Sequence, residues 1–479
     1  MKNLFCINGD TEKTKEVTMK RKVRVIETHL ASNAKLKEMP SISFEKDIDG
    51  SDGRERGLLN LYDEVKYQEI LGFGGAFTES STLNLSRVSK EMREKVLEMY
   101  FDPEKGIGYN FCRSTINSCD FSEDLYSYDD VAEDFELKHF DIAHDKETVI
   151  PAIKDAMKIA EDLRVFSSPW SPPAWMKTNG KMAKGGKLRP ECYEVWAKYV
   201  ARFVQEYEKE GVPLWGVTVQ NEAKAEQGWE SCVYTAGEER DYVTGYLKPT
   251  FEKMGLGDRK IFFWDHNKER AVDRAKETLC SQRARDCFDG VAVHWYSGDH
   301  FTALDVTHQL FPDKYIIASE QCTGKGPKPE WAGERYAHDI IGDLNNWANA
   351  WVDWNMFLNE DGGPSHWLDE QREDPNQDKE KIWVGSSPIV YDREKEELDI
   401  RSSYYYMGHF SKFIRPGAKR IGYSVFEPSV ETCAFINTGG SIVCVVLNRT
   451  AEDKDIALRY KQELAEVTIK AHSIVAFVF

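Results

Sequence analysis

Eight short apolar runs, separated by amphipathic stretches, alternate along the middle of the chain. The runs predict strands at 70–77, 107–116, 164–168, 214–219, 260–264, 290–295, 315–319 and 350–357. The clearest amphipathic stretches predict helices at 89–100, 148–162, 192–210, 238–253, 270–285 and 335–346. Strands that alternate with helices build a parallel sheet, and eight of them favour a closed (β/α)8 barrel over an open sheet. The glycine-rich segment 71–76 lacks the spacing of a dinucleotide-binding loop, and no helix is predicted to open on it.

The two ends of the chain do not alternate in this way. Strands are predicted at 20–28 and 58–66 before the barrel, and at 420–426, 431–437, 441–448, 455–460 and 467–479 after it. Short strands separated by turn residues are typical of an antiparallel β-sandwich. We therefore expect an α/β TIM barrel, residues 69–395, beside a β domain formed by residues 1–68 and 396–479. The polar segment 369–381 is predicted to be a solvated loop on the barrel rim.

The composition of the chain argues against several classes of partner. The 479 residues carry 81 acidic and 63 basic side chains, a net charge of −18, which argues against nucleic acid and anionic membranes as partners. The apolar run at 4–7 is too short for a signal peptide, so a cytoplasmic location is expected. Ten scattered cysteines without accompanying histidines predict free thiols, and neither a metal nor a cofactor is expected.

Two of the predicted barrel strands, the fourth and the seventh, are followed directly by a glutamate. Asn221 and Glu222 follow the fourth strand, and Glu320 follows the seventh. Barrel enzymes place their catalytic groups at the carboxyl ends of the strands. Two carboxyl groups that face each other are the catalytic pair of most glycosidases. A lone glutamate in this position could equally cap the next helix, but the pair favours catalysis.

Other predicted strand ends carry groups that suit a sugar. Aromatic faces stack on the apolar face of a pyranose, and polar side chains bind its hydroxyls. The predicted substrate-binding residues at these ends are Asp120, Trp170, Asn221, His294, Tyr296 and Trp354. Taken singly, each aromatic could belong to the core instead, and Arg113 could be either a site residue or a structural ion pair. Asn355 is placed in a supporting position, and Asn221 could bind a sugar 2-hydroxyl or cap a helix.

At these residues the chain resembles glycoside hydrolase family 30, and within it the glucosylceramidase-like branch. The matching stretches include Phe-Gly-Gly-Ala-Phe-Thr at 73–78, Ser-Pro-Trp-Ser-Pro-Pro-Ala-Trp-Met-Lys-Thr-Asn-Gly at 168–180, Asn-Glu at 221–222, His-Trp-Tyr at 294–296 and Asp-Trp-Asn at 353–355. The family fold, a (β/α)8 barrel with a side β-structure from both termini, agrees with the pattern above. The resemblance implies that Glu222 is the acid/base, protonated at the start, and that Glu320 is the nucleophile.

The resemblance implies a retaining, exo-acting β-glycosidase that hydrolyses β-glucosides through a covalent glycosyl-enzyme. Within the family the alternatives are a β-xylosidase or a β-1,6-glucanase, and outside the enzyme class a non-catalytic carbohydrate-binding barrel. The chain departs from the family pattern at Ala223, where proline is common, and at Trp383, which replaces an asparagine lining the site. Trp383 is therefore predicted to shape the aglycone side, and a soluble glycoside is expected in place of a ceramide-linked one.

Overall fold

A computed structural model describes residues 21–47, 57–324 and 326–479. The predicted apolar run at 4–7, Cys6 and the first residue of the strand at 20–28 lie outside these ranges. Within them the chain forms a closed parallel barrel and a ten-stranded side sheet. All nine cysteines of the described residues are free thiols, and no helix in the same ranges has the length and apolarity needed to cross a bilayer.

The barrel consists of the eight strands that the apolar runs predict. In chain order these strands are Gly72–Phe77, Phe111–Ile116, Arg164–Pro169, Leu214–Thr218, Lys260–Asn267, Gly290–His294, Tyr315–Gln321 and Ala350–Asn355. Each strand pairs in parallel with the next, and the eighth pairs with the first to close the barrel. The apolar side chains Leu71, Phe111, Phe166, Phe262 and Ile317 fill its interior near the strand starts. The opposite, carboxyl rim is thus left for polar groups.

Helices surround the barrel and follow the strands in the predicted order. The helices are Glu79–Arg87, Lys90–Phe101, Val149–Ile159, Tyr193–Lys209, Ala236–Tyr242, Lys248–Lys253, Ala271–Thr278, Gln282–Cys287, Phe301–Leu310, Trp331–Asn345, His366–Glu373 and Ser402–Ser411. The first of them corrects one expectation, because a helix does open directly after the glycine-rich strand. The hydroxyl of Thr78 caps it by accepting a hydrogen bond from the Ser81 backbone N–H (3.1 Å).

The side sheet takes strands from both ends of the chain. Its strands are Lys22–His29, Ala34–Ser43, Glu45–Lys46, Leu58–Glu69, Lys419–Val425, Val430–Ile436, Ile442–Asn448, Lys454–Tyr460, Glu463–Ile469 and Ser473–Val478. The first strand pairs antiparallel with the last, and Leu58–Glu69 pairs antiparallel with Lys419–Val425. This pairing confirms the predicted fold class, whereas the domain boundaries at 68 and 395 stay predictions.

Three sequence expectations about local structure are wrong. The polar segment 369–381 is not a loop throughout, because it overlaps the helix His366–Glu373, whose first turn Ser365 caps with its hydroxyl. The strand predicted at 467–479 is two strands, since the chain reverses at His472 with a φ of 51°. The eighth predicted strand ends at Asn355, and Phe357–Asn359 leaves the barrel for a small sheet with Ile389–Asp392 and Glu397–Ile400.

Candidate active site

A cavity of about 310 Å³ opens at the carboxyl rim of the barrel. Both predicted catalytic glutamates line it, although one follows the fourth strand and the other lies in the seventh. Of the other predicted substrate-binding residues, all but His294 also line it: Asp120, Trp170, Asn221, Tyr296, Trp354 and Trp383. This volume is within the range of small-molecule sites, so the cavity can hold a single sugar ring.

Glu222 is held in a tight turn just after the fourth strand. Its backbone adopts a left-handed conformation, with a φ of 46°, and its N–H donates to the carbonyl of Asp265 (2.8 Å). Such a conformation is unfavourable for a residue with a β-carbon and persists only where the surroundings fix it. The side chain is 11% exposed, and its Oε2 accepts a hydrogen bond from Gln227 Nε2 (2.9 Å). The turn therefore fixes a buried carboxyl at the edge of the cavity.

Glu320 lies within the seventh strand, and both of its oxygens are held. Arg113 Nη1 donates to Oε2 (2.5 Å), and the Tyr296 hydroxyl donates to Oε1 (2.9 Å). A guanidinium is a permanent cation, so a negative charge at Glu320 is always balanced by one partner. This arrangement suits a carboxylate that attacks an electrophilic carbon.

Arg113 connects Glu320 and Asn221 to the barrel interior. It is fully buried and donates to Asp265 Oδ2 (2.7 Å), Asn221 Oδ1 (2.9 Å) and Ser168 Oγ (3.0 Å) as well as to Glu320. Arg113 is therefore both a structural ion-pair residue and a residue of the site, because the same ion pairs that satisfy its charge hold Glu320 in place. The bond to Arg113 also fixes the amide of Asn221, which does not cap a helix.

Asp265 reaches this network through a β-bulge in the fifth strand. Asp265 has no partner in the sixth strand, because Trp264 pairs with Ala292 and His266 pairs with the next residue, Val293. The backbone φ of Asp265 is 44°. Burial would raise the pKa of Asp265, but Arg113 and His294 outweigh burial and hold that pKa well below its ordinary value. Asp265 is therefore a fixed negative charge under the cavity.

His294 is fully buried beneath the two glutamates. Its Nδ1 lies 3.5 Å from Glu222 Oε1 and 3.9 Å from Glu320 Oε1, and its Nε2 lies 3.0 Å from Asp265 Oδ1. The structure thus places His294 against the catalytic carboxyls, and its predicted contact with the sugar stays a prediction. One nitrogen within 4 Å of both carboxyls also shows that these groups face each other closely.

The same contacts decide where the proton of the site resides. Burial disfavours the imidazolium of His294, but Glu320, Asp265 and Glu222 raise its pKa to about 9. Burial likewise would raise the pKa of Glu222, but His294 and His266 lower it to about 2. These directions favour the proton on His294 over Glu222, and the two groups titrate as a pair, so a protonated Glu222 at the start of the reaction stays a prediction.

Two stacked indoles and an acid form the far side of the cavity. The rings of Trp170 and Trp354 stack with centroids 4.9 Å apart, and the guanidinium of Arg113 lies 4.6 Å from the Trp170 ring. Both indoles are almost completely buried, and both line the cavity. Burial, and then the charges of neighbouring glutamates, raise the pKa of Asp120 well above its ordinary value. A carboxyl of this kind can both donate to and accept from a sugar hydroxyl.

The remaining predicted residues take outer positions. Asn355 is buried at the end of the eighth strand, where its Oδ1 accepts a hydrogen bond from Thr78 Oγ1 (2.7 Å). Trp383 is 52% exposed at the mouth of the cavity. Its ring lies against Gly385, where a β-carbon would come within 3.3 Å of the indole.

Sequence reasoning missed Asp265, His266 and Gln227. The fifth apolar run was taken to end at Trp264, whereas the strand continues to Asn267. The rule that found both glutamates, polar residues directly after a barrel strand, would also have found Asp265 and His266. Gln227 lies on a loop, and no spacing marks it.

Comparisons with known proteins agree with this geometry. A profile described as the glycosyl hydrolase family 30 TIM-barrel domain matches residues 70–414, and one described as that family's beta sandwich domain matches residues 417–477. The lysosomal acid glucosylceramidase of Mus musculus is 33% identical over 425 residues, 84% of this chain and 79% of that protein.

Two further relatives are informative. The endo-1,6-beta-D-glucanase of Neurospora crassa is 27% identical over 361 residues, covering 73% of this chain and 71% of that protein. The crystal structure of SrfJ from Salmonella typhimurium superposes with a TM-score of 0.89 at 30% identity, covering 96% of this chain and 99% of that one.

Proposed function

The chain belongs to glycosyl hydrolase family 30 and is a glycoside hydrolase; we propose that it is a retaining β-glycosidase that releases glucose from the ends of β-glucosides. The observation that carries this proposal is the different surroundings of the two glutamates. Glu320 faces a guanidinium and a phenol, whereas Glu222 faces two histidines that can carry a proton. The first setting suits a nucleophile and the second an acid/base.

The proposed reaction has two displacements. Glu320 attacks the anomeric carbon, the glycosidic bond breaks, and the leaving oxygen takes a proton from Glu222. Water then attacks the same carbon and gives a proton to Glu222, and Glu320 leaves as a carboxylate. A sugar that displaces water from the cavity disfavours the charged form of Glu222 and so raises the pKa of that carboxyl. The proton would then move from His294 to Glu222 before the first step.

The experiment that tests this function is hydrolysis followed by NMR of the first-formed anomer. Aryl β-glucoside, β-xyloside, β-galactoside and β-fucoside separate the candidate glycones. We expect the β-glucoside to be hydrolysed fastest, with the β-anomer released first, as retention requires. Initial release of the α-anomer would contradict the retaining mechanism. It would also contradict the separation of about 5–5.5 Å between the carboxyl groups of Glu222 and Glu320 that we predict for a retaining enzyme.

A second cavity favours endo-β-1,6-glucanase activity as the alternative. It has a volume of about 330 Å³ and shares Asp120, Phe121, Trp229 and Trp383 with the catalytic cavity, and Trp367 extends its aromatic lining. A further sugar unit would fit there, and an indole face suits it. The name of the Neurospora crassa relative agrees with this alternative. With a β-1,6-glucan as the substrate, glucose as the sole early product supports exo action, and a ladder of oligosaccharides supports endo action.

Trp383→Ala is expected to lower kcat/KM by up to about tenfold on disaccharides and aryl glucosides, because an indole face adds about 0.5–1.5 kcal/mol to the binding of a ring. Inhibition by a mimic of the glycone alone should change little. Phe426→Ala is a matched control, since Phe426 is 66% exposed on the side sheet. A lowered thermal midpoint with an unaltered kcat/KM would show that Trp383 is only structural.

The pH dependence should report the proton shared by Glu222 and His294. We expect kcat/KM to fall above about pH 9, where the pair loses its last proton. In His294→Gln that proton is left to Glu222 and to His266, whose pKa is lowered by burial, so the alkaline limb should move to lower pH. His338→Gln is the control, since His338 pairs with Glu431 and Asp299 outside the site. Superimposable profiles of wild type and His294→Gln would exclude the shared proton.

A further inference from the structure

Three potential metal ligands converge at the side of the cavity where the acid/base lies. They are Glu222 Oε1, His266 Nδ1 and His294 Nδ1, and all three atoms lie within 4.8 Å of one another. The carboxyl oxygen is 3.6 Å from His266 Nδ1 and 3.5 Å from His294 Nδ1. Ligands about 2.0–2.1 Å from a tetrahedral zinc ion are about 3.3–3.4 Å apart, so these two separations need only small adjustments.

The two imidazole nitrogens are buried beside the carboxyl of Glu222. Neither His266 Nδ1 nor His294 Nδ1 has a hydrogen-bond partner among the residues that the structure describes. The side chain of His294 is fully buried, and its Nε2–H donates to Asp265 Oδ1 (3.0 Å). A metal ion that binds here displaces the proton that His294 and Glu222 share, and the bond from Nε2–H then leaves the lone pair on Nδ1, which faces Glu222. A carboxylate behind a histidine is the usual support of a metal-binding imidazole.

The remaining contacts leave Glu222 Oε1 available. Gln227 donates to the other oxygen, Oε2, so the carboxyl is oriented with Oε1 toward both histidines. Glu222 and His266 line the catalytic cavity, so a bound ion would have its fourth position open to water or a sugar oxygen. Two histidines and one glutamate with an open position are a donor set that zinc accepts.

We propose that Glu222, His266 and His294 form a reversible inhibitory site for Zn²⁺ or a similar borderline divalent cation. An ion bound there engages the oxygen that must exchange a proton with the leaving group, and it occupies the space of that group. Hard cations such as Mg²⁺ and Ca²⁺ prefer sets of oxygen ligands and are not expected to compete. This site goes beyond the hydrolytic function proposed above.

The activity test measures inhibition constants in metal-buffered solution at one fixed pH. Zn²⁺ should inhibit aryl glucoside hydrolysis, a chelator should restore it, and Mg²⁺ should have no effect. His266→Gln removes one ligand and should weaken zinc inhibition at least about tenfold, measured against the zinc-free rate of the same variant. Two controls should inhibit as the wild type does. His139→Gln alters the other cluster of possible ligands, Asp129, Asp134 and His139, and Cys322→Ser removes the thiol at the cavity.

A direct binding measurement keeps the proposal separate from the proposed hydrolysis. Co²⁺ titration followed by visible absorption should show a low-coordinate site in the wild type, lost in His266→Gln, whether or not any glucoside is cleaved. Equal zinc inhibition of wild type and His266→Gln would overturn the site. So would inhibition that disappears only in Cys322→Ser or only in His139→Gln, or the absence of both inhibition and cobalt binding at millimolar metal.

Discussion

Glu320→Gln will abolish hydrolysis of every substrate, whereas Glu222→Gln will still form the glycosyl-enzyme rapidly from substrates with good leaving groups. A glutamine at 320 cannot attack the anomeric carbon, so no glycosyl-enzyme forms. General acid catalysis contributes about 10²- to 10⁴-fold, and an activated aryl leaving group needs little of it. The loss in Glu222→Gln should therefore approach that range on gentiobiose and be much smaller for glycosyl-enzyme formation from a dinitrophenyl glucoside.

Azide separates the two roles further. In Glu222→Gln the anion can enter the space of the acid/base and attack the glycosyl-enzyme, which should restore turnover and yield a β-glucosyl azide. Glu239→Gln is the matched control, because Glu239 is a buried carboxylate paired with Arg274 (2.6 Å) that does not line the cavity. It should keep the wild-type ratio of rates on the two substrates. Equal losses in both catalytic variants on all substrates, without rescue, would contradict the assigned roles.

The barrel strands could be predicted because each is buried on both faces. Segments such as Lys260–Asn267 and Tyr315–Gln321 contain continuous apolar runs, at 261–264 and 315–318, which are typical of parallel strands. The edge strand Ala34–Ser43 was missed because most of its residues are exposed and its sequence is polar. The hairpin between Glu463–Ile469 and Ser473–Val478 was missed because its turn, Lys-Ala-His, has no glycine, proline or asparagine.

The catalytic pair could be predicted from strand ends, but its electrostatics could not. Where the proton resides depends on a histidine nitrogen 3.5 Å from Glu222 and on an aspartate brought inward by a bulge. Neither distance nor bulge has a signature in the sequence. The bulge also explains why Asp265 and His266 were overlooked, since it lies just beyond the apolar run.

Replacing Arg113 is expected to cost both stability and activity. Arg113→Met would leave Asp265 and Glu320 buried without their cation, and breaking a buried pair costs about 3–5 kcal/mol. Arg113→Lys keeps the charge but cannot hold four acceptors at once, since an ammonium lacks the planar fork of a guanidinium. We expect its kcat/KM to fall about 100-fold, as for other misplacements of a reacting group.

Lys268→Met separates the loss of stability from the loss of activity. Lys268 is also a fully buried cation between two carboxylates, Asp339 (2.7 Å) and Asp343 (2.6 Å), but neither it nor they line the cavity. Urea unfolding should show comparable losses in Lys268→Met and Arg113→Met, while the folded fraction of Lys268→Met keeps most of its kcat/KM. If Arg113→Lys were as active as the wild type, the four bonds of Arg113 would be structural only, and the position of Glu320 would have to depend on Tyr296.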